Sequence, residues 1–326
     1  MYAIHVQSDQ PGHPLVWQET ADPTYGPDEV LVDIHATALN RADLLQRAGN
    51  YPPPPGAPNI LGLEMAGVIA AVGSHVRSWQ VGDRVCALLG GGGYAEQVAV
   101  HHSQLIPIPA GWSFEEAAAL PEVYLTAFVN LFMEARLQPG ETVLVHGGAS
   151  GVGTAAIQML QHLGHTVIVT AGSDEKVAAC RELGADLAIN YRNEDFFEKV
   201  KTFTQDQGVD VILDMVGATY FERNLELLKV RGRLVFIATL GGNQVNLDIG
   251  KLMRKRARLI GSVLRPRSLE EKQEIKDTFV NRCWHLIQRG AIRPVIDSVF
   301  PITEANAAHA RMANNENIGK IVLRVR

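Results

Sequence analysis

The run Thr142-Val-Leu-Val-His146-Gly-Gly-Ala-Ser-Gly-Val-Gly153-Thr-Ala-Ala-Ile-Gln158 constrains the fold of this chain more than any other segment. An apolar, β-branched stretch stops at a cluster of small residues, and a helical pattern begins at once. That order is the strand, phosphate loop and helix of a dinucleotide-binding βαβ unit, where N–H groups at the helix N-terminus receive a pyrophosphate. Against the three-glycine fingerprint, Gly148 takes the tight-turn position and Gly153 the position of close helix–strand packing. Ser150 fills the middle slot and Gly151 follows it, so Ser150, Gly151 and Val152 are the phosphate-facing candidates. Gly164 closes the helix, and a second β-run follows it over 166–170. The alternative is an α/β turn that binds no nucleotide, which has little need for so many glycines.

The tip of the second strand bears on the cofactor. NAD-selective units carry an acid there for the ribose hydroxyls, about 20 residues past the glycines. Here the strand ends Thr170-Ala-Gly-Ser173, with no carboxylate at the tip. Asp174 lies at a suitable distance but past Gly172, in the first turn of the next helix, where an acid complements the helix dipole. Ser173 and Lys176 offer a hydroxyl and an ammonium to a 2′-phosphate, which favours NADP. Their structural alternatives are an N-cap for Ser173 and a solvated charge for Lys176.

A chain of 326 residues suggests two domains, and a hydrophobic share of 46% fills two cores. The net charge of −5 argues against a polyanion-binding protein, with Arg254-Lys255-Arg256 and Arg258 as the one local basic cluster. The three cysteines, Cys86, Cys180 and Cys283, have neither disulfide-framework nor zinc spacing, which suits a reducing cytoplasm. No apolar stretch long enough for a membrane span is present, and the N-terminus has no signal-peptide pattern.

The first 120 or so residues read as β-rich, with strands over 2–6, 29–35, 66–72 and 96–100 and a turn at Val81-Gly-Asp-Arg-Val85 feeding another. Pro52 to Pro55 form a stiff extended loop. Helices are expected over 114–120 and 124–134. Strands over 142–146, 166–171, 187–190, 209–213, 233–238 and 258–262 then alternate with helices near 152–163, 174–183, 194–204 and 219–229. That alternation specifies a doubly wound parallel sheet of six strands. A helix near 269–289, a strand over 295–299, a helix over 303–314 and a strand over 320–325 complete the chain, the last able to rejoin the first domain.

Several motifs in order now carry a resemblance: Ala38-Leu-Asn-Arg-Ala-Asp43, Asn59-Ile-Leu-Gly-Leu-Glu64-Met-Ala-Gly67, Gly90-Gly-Gly-Gly-Tyr94, Leu120-Pro-Glu and Leu125-Thr-Ala. To these add the 146–158 loop, Thr170 to Ser173, Asn190-Tyr191, Leu264-Arg265 and Asn317-Ile-Gly-Lys-Ile-Val322. Across essentially its whole length the chain resembles zinc-independent quinone oxidoreductases of the medium-chain dehydrogenase/reductase superfamily. The apoptosis-linked mammalian branch is nearest and the zeta-crystallin-like proteins are more distant.

The resemblance implies an α/β architecture. A GroES-like β domain over 1–122 and 263–326 would be joined to a Rossmann dinucleotide domain over 123–262, with the substrate cleft at their junction. It also implies NADPH as cofactor, a small-molecule quinone as substrate, and a homodimer joined through the Rossmann edge strand near Arg258 to Val263, with a tetramer as the further possibility. By the same likeness Tyr51 and Asn40 lie at the nicotinamide end and are the candidate catalytic groups. Thr126 meets the nicotinamide or its ribose, Tyr191 the 2′-phosphate, and Leu264 and Arg265 the cofactor. Asn317 and Lys320 close the far side, and Gly90 to Gly93 leave room for bulky planar ligands. For each of these a loop, capping or surface role is the bland alternative.

Zinc-dependent relatives place a Cys where this chain has Asn40 and a His-Glu pair at Leu63-Glu64, and they carry four clustered cysteines absent here. Asn and Leu are poor zinc ligands, so no metal site is expected. His35, His101 and His102 are scattered surface or core histidines. Reduction of an enone C=C bond is a second reading, needing a placed proton source for which Tyr51 is the candidate. NADPH sensing or zeta-crystallin-like RNA binding is a third, and no RNA module or broad basic composition supports nucleic-acid binding.

Overall fold

The computed structural model describes residues 1–326. The chain divides into two compact units, Met1–Leu125 with Leu264–Arg326, and Thr126–Val263.

The first unit begins with the hairpin β1 (Tyr2–Val6) and β2 (Leu15–Glu19). It continues with β3 (Glu29–Ala38), α1 (Arg41–Arg47), β4 (Glu64–Val72), β5 (Arg84–Leu88), β6 (Gln97–His101), β7 (Leu105–Pro107) and α2 (Phe114–Ala118). α3 (Pro121–Phe128) follows and runs into one turn of π-helix at Val129–Glu134. β3 alternates buried and half-buried residues, as a strand with one face on a core must. Its inward Val30, Val32 and Ile34 pack with Met65, Ile69 and Val85 of β4 and β5.

The second unit holds β8 (Thr142–Val145), α4 (Gly151–His162), β9 (Thr166–Ala171), α5 (Asp174–Glu182), β10 (Leu187–Asn190) and α6 (Phe196–Phe203). Then come β11 (Val209–Asp214), α7 (Phe221–Leu227), β12 (Leu228–Phe236), α8 (Ile249–Lys255) and β13 (Arg258–Gly261). The six strands form a parallel sheet in the order β10-β9-β8-β11-β12-β13. This is the doubly wound Rossmann order, in which the chain reverses direction beside β8, at the crevice that receives a dinucleotide. β8 and β9 are almost fully buried, as a strand with helices on both faces requires.

The chain returns to the first unit with α9 (Leu269–Gln288), β14 (Ile296–Pro301), α10 (Ala305–Ala313) and β15 (Lys320–Arg324). β15 pairs antiparallel with β3, so both chain ends share one seven-stranded sheet, ordered β14-β15-β3-β4-β5-β7 with β6 also on β3. The GroES-like β architecture and the six-stranded Rossmann sheet are both present.

Several sequence expectations are corrected. The helices expected over 114–120 and 124–134 are α2, α3 and the π-turn, broken because Pro121 starts a new helix. β12 begins at Leu228, five residues earlier than expected, because Leu228 pairs with Val209 across a register shift. The helices α1 and α8, and the strands β2 and β7, lie in segments for which no element was expected. The basic cluster is partly internal: Lys255 Nζ donates to the Glu226 and Leu228 carbonyls at 2.5 and 2.6 Å.

Candidate active site

In the second unit the phosphate loop is shaped by glycines whose roles differ from the expected ones. Gly147, not Gly148, makes the tight turn, with φ of 68°. A Cβ at Gly148 would stand 2.7 Å from the Val169 Cβ of β9 and 3.1 Å from Cys180 Sγ of α5, so Gly148 is the packing glycine. A Cβ at Gly153 would lie 2.3 Å from the Gly147 carbonyl oxygen. The helix therefore starts pressed against the loop backbone. Ser150 caps α4, its hydroxyl accepting from the Gly153 N–H at 3.0 Å. The first-turn N–H groups of Gly151 and Val152 have no intrahelical acceptor and remain for an anion.

Behind the loop lies a buried polar network that sequence reading missed. His146 is fully buried. Its Nε2 faces Asn224 Oδ1 at 2.8 Å and its Nδ1 faces Thr170 Oγ1 at 3.0 Å. Burial lowers the His146 pKa. A neutral ring donating to Asn224 and accepting from Thr170 satisfies both nitrogens. The Asn224 amide donates to Asp214 at 3.2 Å, and Asp214 also receives the Val216 and Gly217 N–H groups. The network ties the ends of β8, β9 and β11 to α7. The sequence hint was a polar residue ending an apolar strand.

At the end of β9, Ser173 is the N-cap of α5, accepting from the Lys176 N–H at 3.2 Å. Asp174 is held by Asn190, whose amide donates to it at 2.7 Å. Tyr191 lays its hydroxyl against Gly172, 2.7 Å from where a Cβ would stand, and remains 43% exposed. Ser173, the backbone of Lys176 and Tyr191 thus come together at one strand tip. The Thr126 hydroxyl of α3 is buried without a hydrogen-bond partner.

In the first unit a second cluster surrounds Glu64, which is fully buried on β4. Its Oε1 accepts from Lys320 Nζ at 2.7 Å and from the Asn40 amide at 2.8 Å, and its Oε2 accepts from the Glu122 N–H at 2.8 Å. Lys320 also donates to the Leu39 carbonyl and to Asn40 Oδ1, at 2.6 and 2.7 Å. Both ends of the Asn40 amide are therefore engaged by the protein. Lys320 is only 3% exposed, which rules out the alternative of an ordinary surface charge before a strand.

Tyr51 is half-buried on the loop before the prolines. Arg265 places its guanidinium 5.2 Å from the Tyr51 ring centroid and donates to the carbonyls of Gly90 and Tyr51 at 2.9 and 3.4 Å. It also donates to Gln46 Oε1 at 2.7 Å. Arg265 is thus a buried strut that fixes the Tyr51 loop. Burial, reinforced by the Glu122 charge, holds the Tyr51 phenol above its ordinary pKa. Leu264 is buried beside Arg265 in sequence, and Asn317 donates to the Gly319 carbonyl at 2.7 Å.

The Gly90 to Gly93 stretch is not open space. A Cβ at Gly91 would meet the Pro58 carbonyl oxygen at 2.6 Å, and one at Gly93 the Glu64 carbonyl oxygen at 2.7 Å. These glycines let the backbone pack against the 58–64 segment, which corrects the expectation of a widened entrance. The residue that sequence reading singled out least is Glu122, known only as part of Leu120-Pro-Glu. Burial pushes its carboxyl up to about 8, with Glu64 adding to the shift, and its Oε2 is buried without a partner.

Comparison with known proteins agrees with this construction. Residues 151–279 match the zinc-binding dehydrogenase family, and residues 26–110 match the alcohol dehydrogenase GroES-like domain. Rat quinone oxidoreductase is 34% identical over 90% of this chain and 88% of its own length. The human synaptic vesicle membrane protein VAT-1 homolog is 34% identical over 93% of this chain and 80% of its own. The structure of Escherichia coli quinone oxidoreductase complexed with NADPH superposes with a TM-score of 0.88 at 30% identity, over all of both chains. With a Rossmann sheet, a GroES-like unit and relatives of this kind along nearly its full length, the chain belongs to the quinone oxidoreductases of the medium-chain dehydrogenase/reductase superfamily, nicotinamide-dependent oxidoreductases acting on small molecules.

Proposed function

We propose that this protein is an NADPH-dependent quinone reductase that needs no zinc. The observation that carries the reading is the Glu64 cluster. Where zinc-dependent relatives place metal ligands, this chain has Asn40 and Leu63, and Glu64 is bonded to the Lys320 ammonium. No three His, Cys, Asp or Glu residues gather anywhere to hold a metal ion. Quinones are strong electrophiles, so their reduction needs little Lewis-acid help.

The fit to a nicotinamide dinucleotide rests on the loop. A side chain at Gly148 would strike β9 and α5, and one at Gly153 the Gly147 and Gly148 carbonyl oxygens, so the loop needs glycine at both positions. The first-turn N–H groups of Gly151 and Val152, without intrahelical acceptors, are left for an anion. Ser150, Gly151 and Val152 would hold the pyrophosphate. Ser173, Lys176 and Tyr191 would meet the 2′-phosphate, and Thr126, with its unpartnered hydroxyl, the nicotinamide side. The bound cofactor supplies hydride. Tyr51 shapes the acceptor site with a phenol kept protonated, Arg265 fixes the Tyr51 loop, and Asn40 serves as scaffold behind it through Glu64 and Lys320. Leu264 and Asn317 complete the walls. A homodimer through β13, and a cytoplasmic setting in which three buried cysteines stay reduced, belong to the same reading.

Reduction of enone C=C bonds is the second reading, for which the half-buried Tyr51 hydroxyl, on the loop braced by Arg265, is the candidate proton source. The test is initial-rate oxidation of NADPH and NADH with an ortho-quinone, a para-quinone and an enone. Faster turnover with NADPH and a quinone supports the first reading, and preference for the enone supports the second. Lys176→Ala is expected to weaken NADPH binding by about tenfold or more while sparing NADH, consistent with one lost charge-assisted contact. Equal losses for both cofactors would remove Lys176 from the phosphate site.

A further inference from the structure

We propose that Asn190 is a positioning residue for cofactor choice, its side-chain amide holding Asp174 so that this carboxylate is withheld from the ribose diol of NADH. The inference rests on the NADPH reading above and deepens it.

Asp174 is the acid whose distance from the glycine loop suits a ribose contact, and it stands exposed in the first turn of α5 beside the N-cap Ser173. In NAD-selective units a carboxylate at the tip of the second strand accepts from the ribose hydroxyls. The same charge repels a 2′-phosphate brought to that place. A protein that takes NADPH with an acid here must manage the carboxylate, and the end of β10 does so.

Asn190 ends β10 directly opposite Ala171, the last residue of β9. It is buried, and each of its polar atoms is engaged. Its N–H donates to Glu194 Oε2 at 3.2 Å, and its carbonyl accepts from the N–H groups of Asn193 and Glu194 at 3.0 and 2.9 Å. Its Oδ1 accepts from the Arg192 N–H at 3.1 Å, and its Nδ2 donates to Asp174 Oδ1 at 2.7 Å. The amide can therefore point only one way. Flipped, it would set its N–H groups against that of Arg192 and its oxygen against the Asp174 carboxylate. Glu194 is in turn tied to Lys199 of α6 at 2.7 Å, so the bracket that holds Asp174 is itself anchored.

A short bond from an amide to a charged oxygen is among the stronger hydrogen bonds. A clamp on both hydroxyls of a diol uses both carboxylate oxygens, so Asp174 would have to break its bond to Asn190 to form one. Asn190 thus acts against NADH by occupying the acid that NADH would need. It also keeps that acid turned to β10, whereas a released Asp174 could swing to the 2′-phosphate and repel it.

The test uses the full-length protein and two fragments of the cofactor, adenosine 2′,5′-bisphosphate and AMP, with binding followed by calorimetry, so no turnover is needed. The wild type is expected to bind the bisphosphate at least about tenfold more tightly than AMP. Asn190→Ala releases Asp174, and that preference is expected to fall roughly tenfold, AMP gaining while the bisphosphate loses. A general loosening of the strand tip would weaken both ligands alike and leave their ratio unmoved. Adding Asp174→Ala to Asn190→Ala is expected to restore the wild-type preference, since no carboxylate is left to release.

A wild type without preference for the bisphosphate overturns the NADPH reading, and this inference with it. A wild-type preference that Asn190→Ala leaves unchanged overturns the role of Asn190 alone. A loss that persists in the double variant shows that Asn190 does not act through Asp174, and overturns the proposal. Should Asn190→Ala fail to fold, Asp174→Ala decides, because it alters an exposed side chain. Affinity for AMP within about twofold of the wild type supports a withheld carboxylate, and any larger loss shows that Asp174 already serves the ribose and refutes the proposal.

Discussion

The Lys320–Glu64 pair shows how much a single residue can hide. The ammonium and carboxylate are both buried and 2.7 Å apart, with Lys320 3% exposed and Glu64 fully covered. Removing one partner strands the other in a low-dielectric setting, so Lys320→Met is expected to destabilise the protein by about 3–5 kcal/mol. Pairing it with Glu64→Gln removes the stranded charge and is expected to recover much of that loss. Urea unfolding of the two variants checks both statements. An additive double variant would show that the pair is not coupled. From sequence Lys320 was expected, by resemblance, to close the far side of the site, with an ordinary charge before a strand as the alternative. Its ion pair with Glu64 was not legible, because its partners lie on β4 and at the start of α1, more than two hundred residues away. Tyr51 and Asn40 were legible only through family motifs. Nothing in their local pattern marks them, and the Arg265 strut that holds the Tyr51 loop is likewise a long-range contact.

At the scale of elements, the strand–loop–helix unit was the most legible part of the chain, because its signals are local. β8, β9, α4 and α5 fall within a residue or two of their expected bounds. The assignment of individual glycines failed because the fingerprint fixes spacing, whereas φ and packing are set in three dimensions. A comparison of two glycines tests the loop. Gly153→Ala would push a Cβ to 2.3 and 2.5 Å from the Gly147 and Gly148 carbonyl oxygens, and backbone cannot give way cheaply. It is expected to lower NADPH affinity at least about tenfold by calorimetry, since the helix N-terminus must move from the phosphate. Gly164→Ala meets open space but forces φ of 79° on an alanine. It is expected to cost about 1 kcal/mol of stability with NADPH affinity unchanged. Equal affinity losses at both positions would separate phosphate binding from loop geometry. The elements that escaped sequence reading, α1, α8, β2 and β7, are short and lack a clear apolar period, so tertiary packing decides them.

At the scale of the molecule the remaining question is how the exposed margin of the Rossmann sheet is managed. The strand order leaves β10 and β13 as edges. β10 is nearly all buried, whereas β13 exposes both ends and half-exposes Leu259 and Ile260. Val263, just beyond it, is 53% exposed. An open, apolar edge invites pairing with another strand, and natural proteins blunt such edges or use them. β13 carries arginine only at its first position, so the middle of the strand is left unguarded. Pairing of β13 with the same strand of a second copy would satisfy its free backbone groups and form a closed twofold contact. Gly261 offers a clean test, because a Cβ there meets nothing within 4 Å and a side chain disturbs no internal packing. Gly261→Lys places a charge on the edge, a known guard against strand pairing. By sedimentation equilibrium the wild type is expected to be dimeric and Gly261→Lys monomeric, with NADPH affinity preserved because the phosphate loop lies at the other side of β11 and β12 in the sheet. A variant that remains dimeric would move the interface away from β13, and a monomeric wild type would remove the dimer altogether.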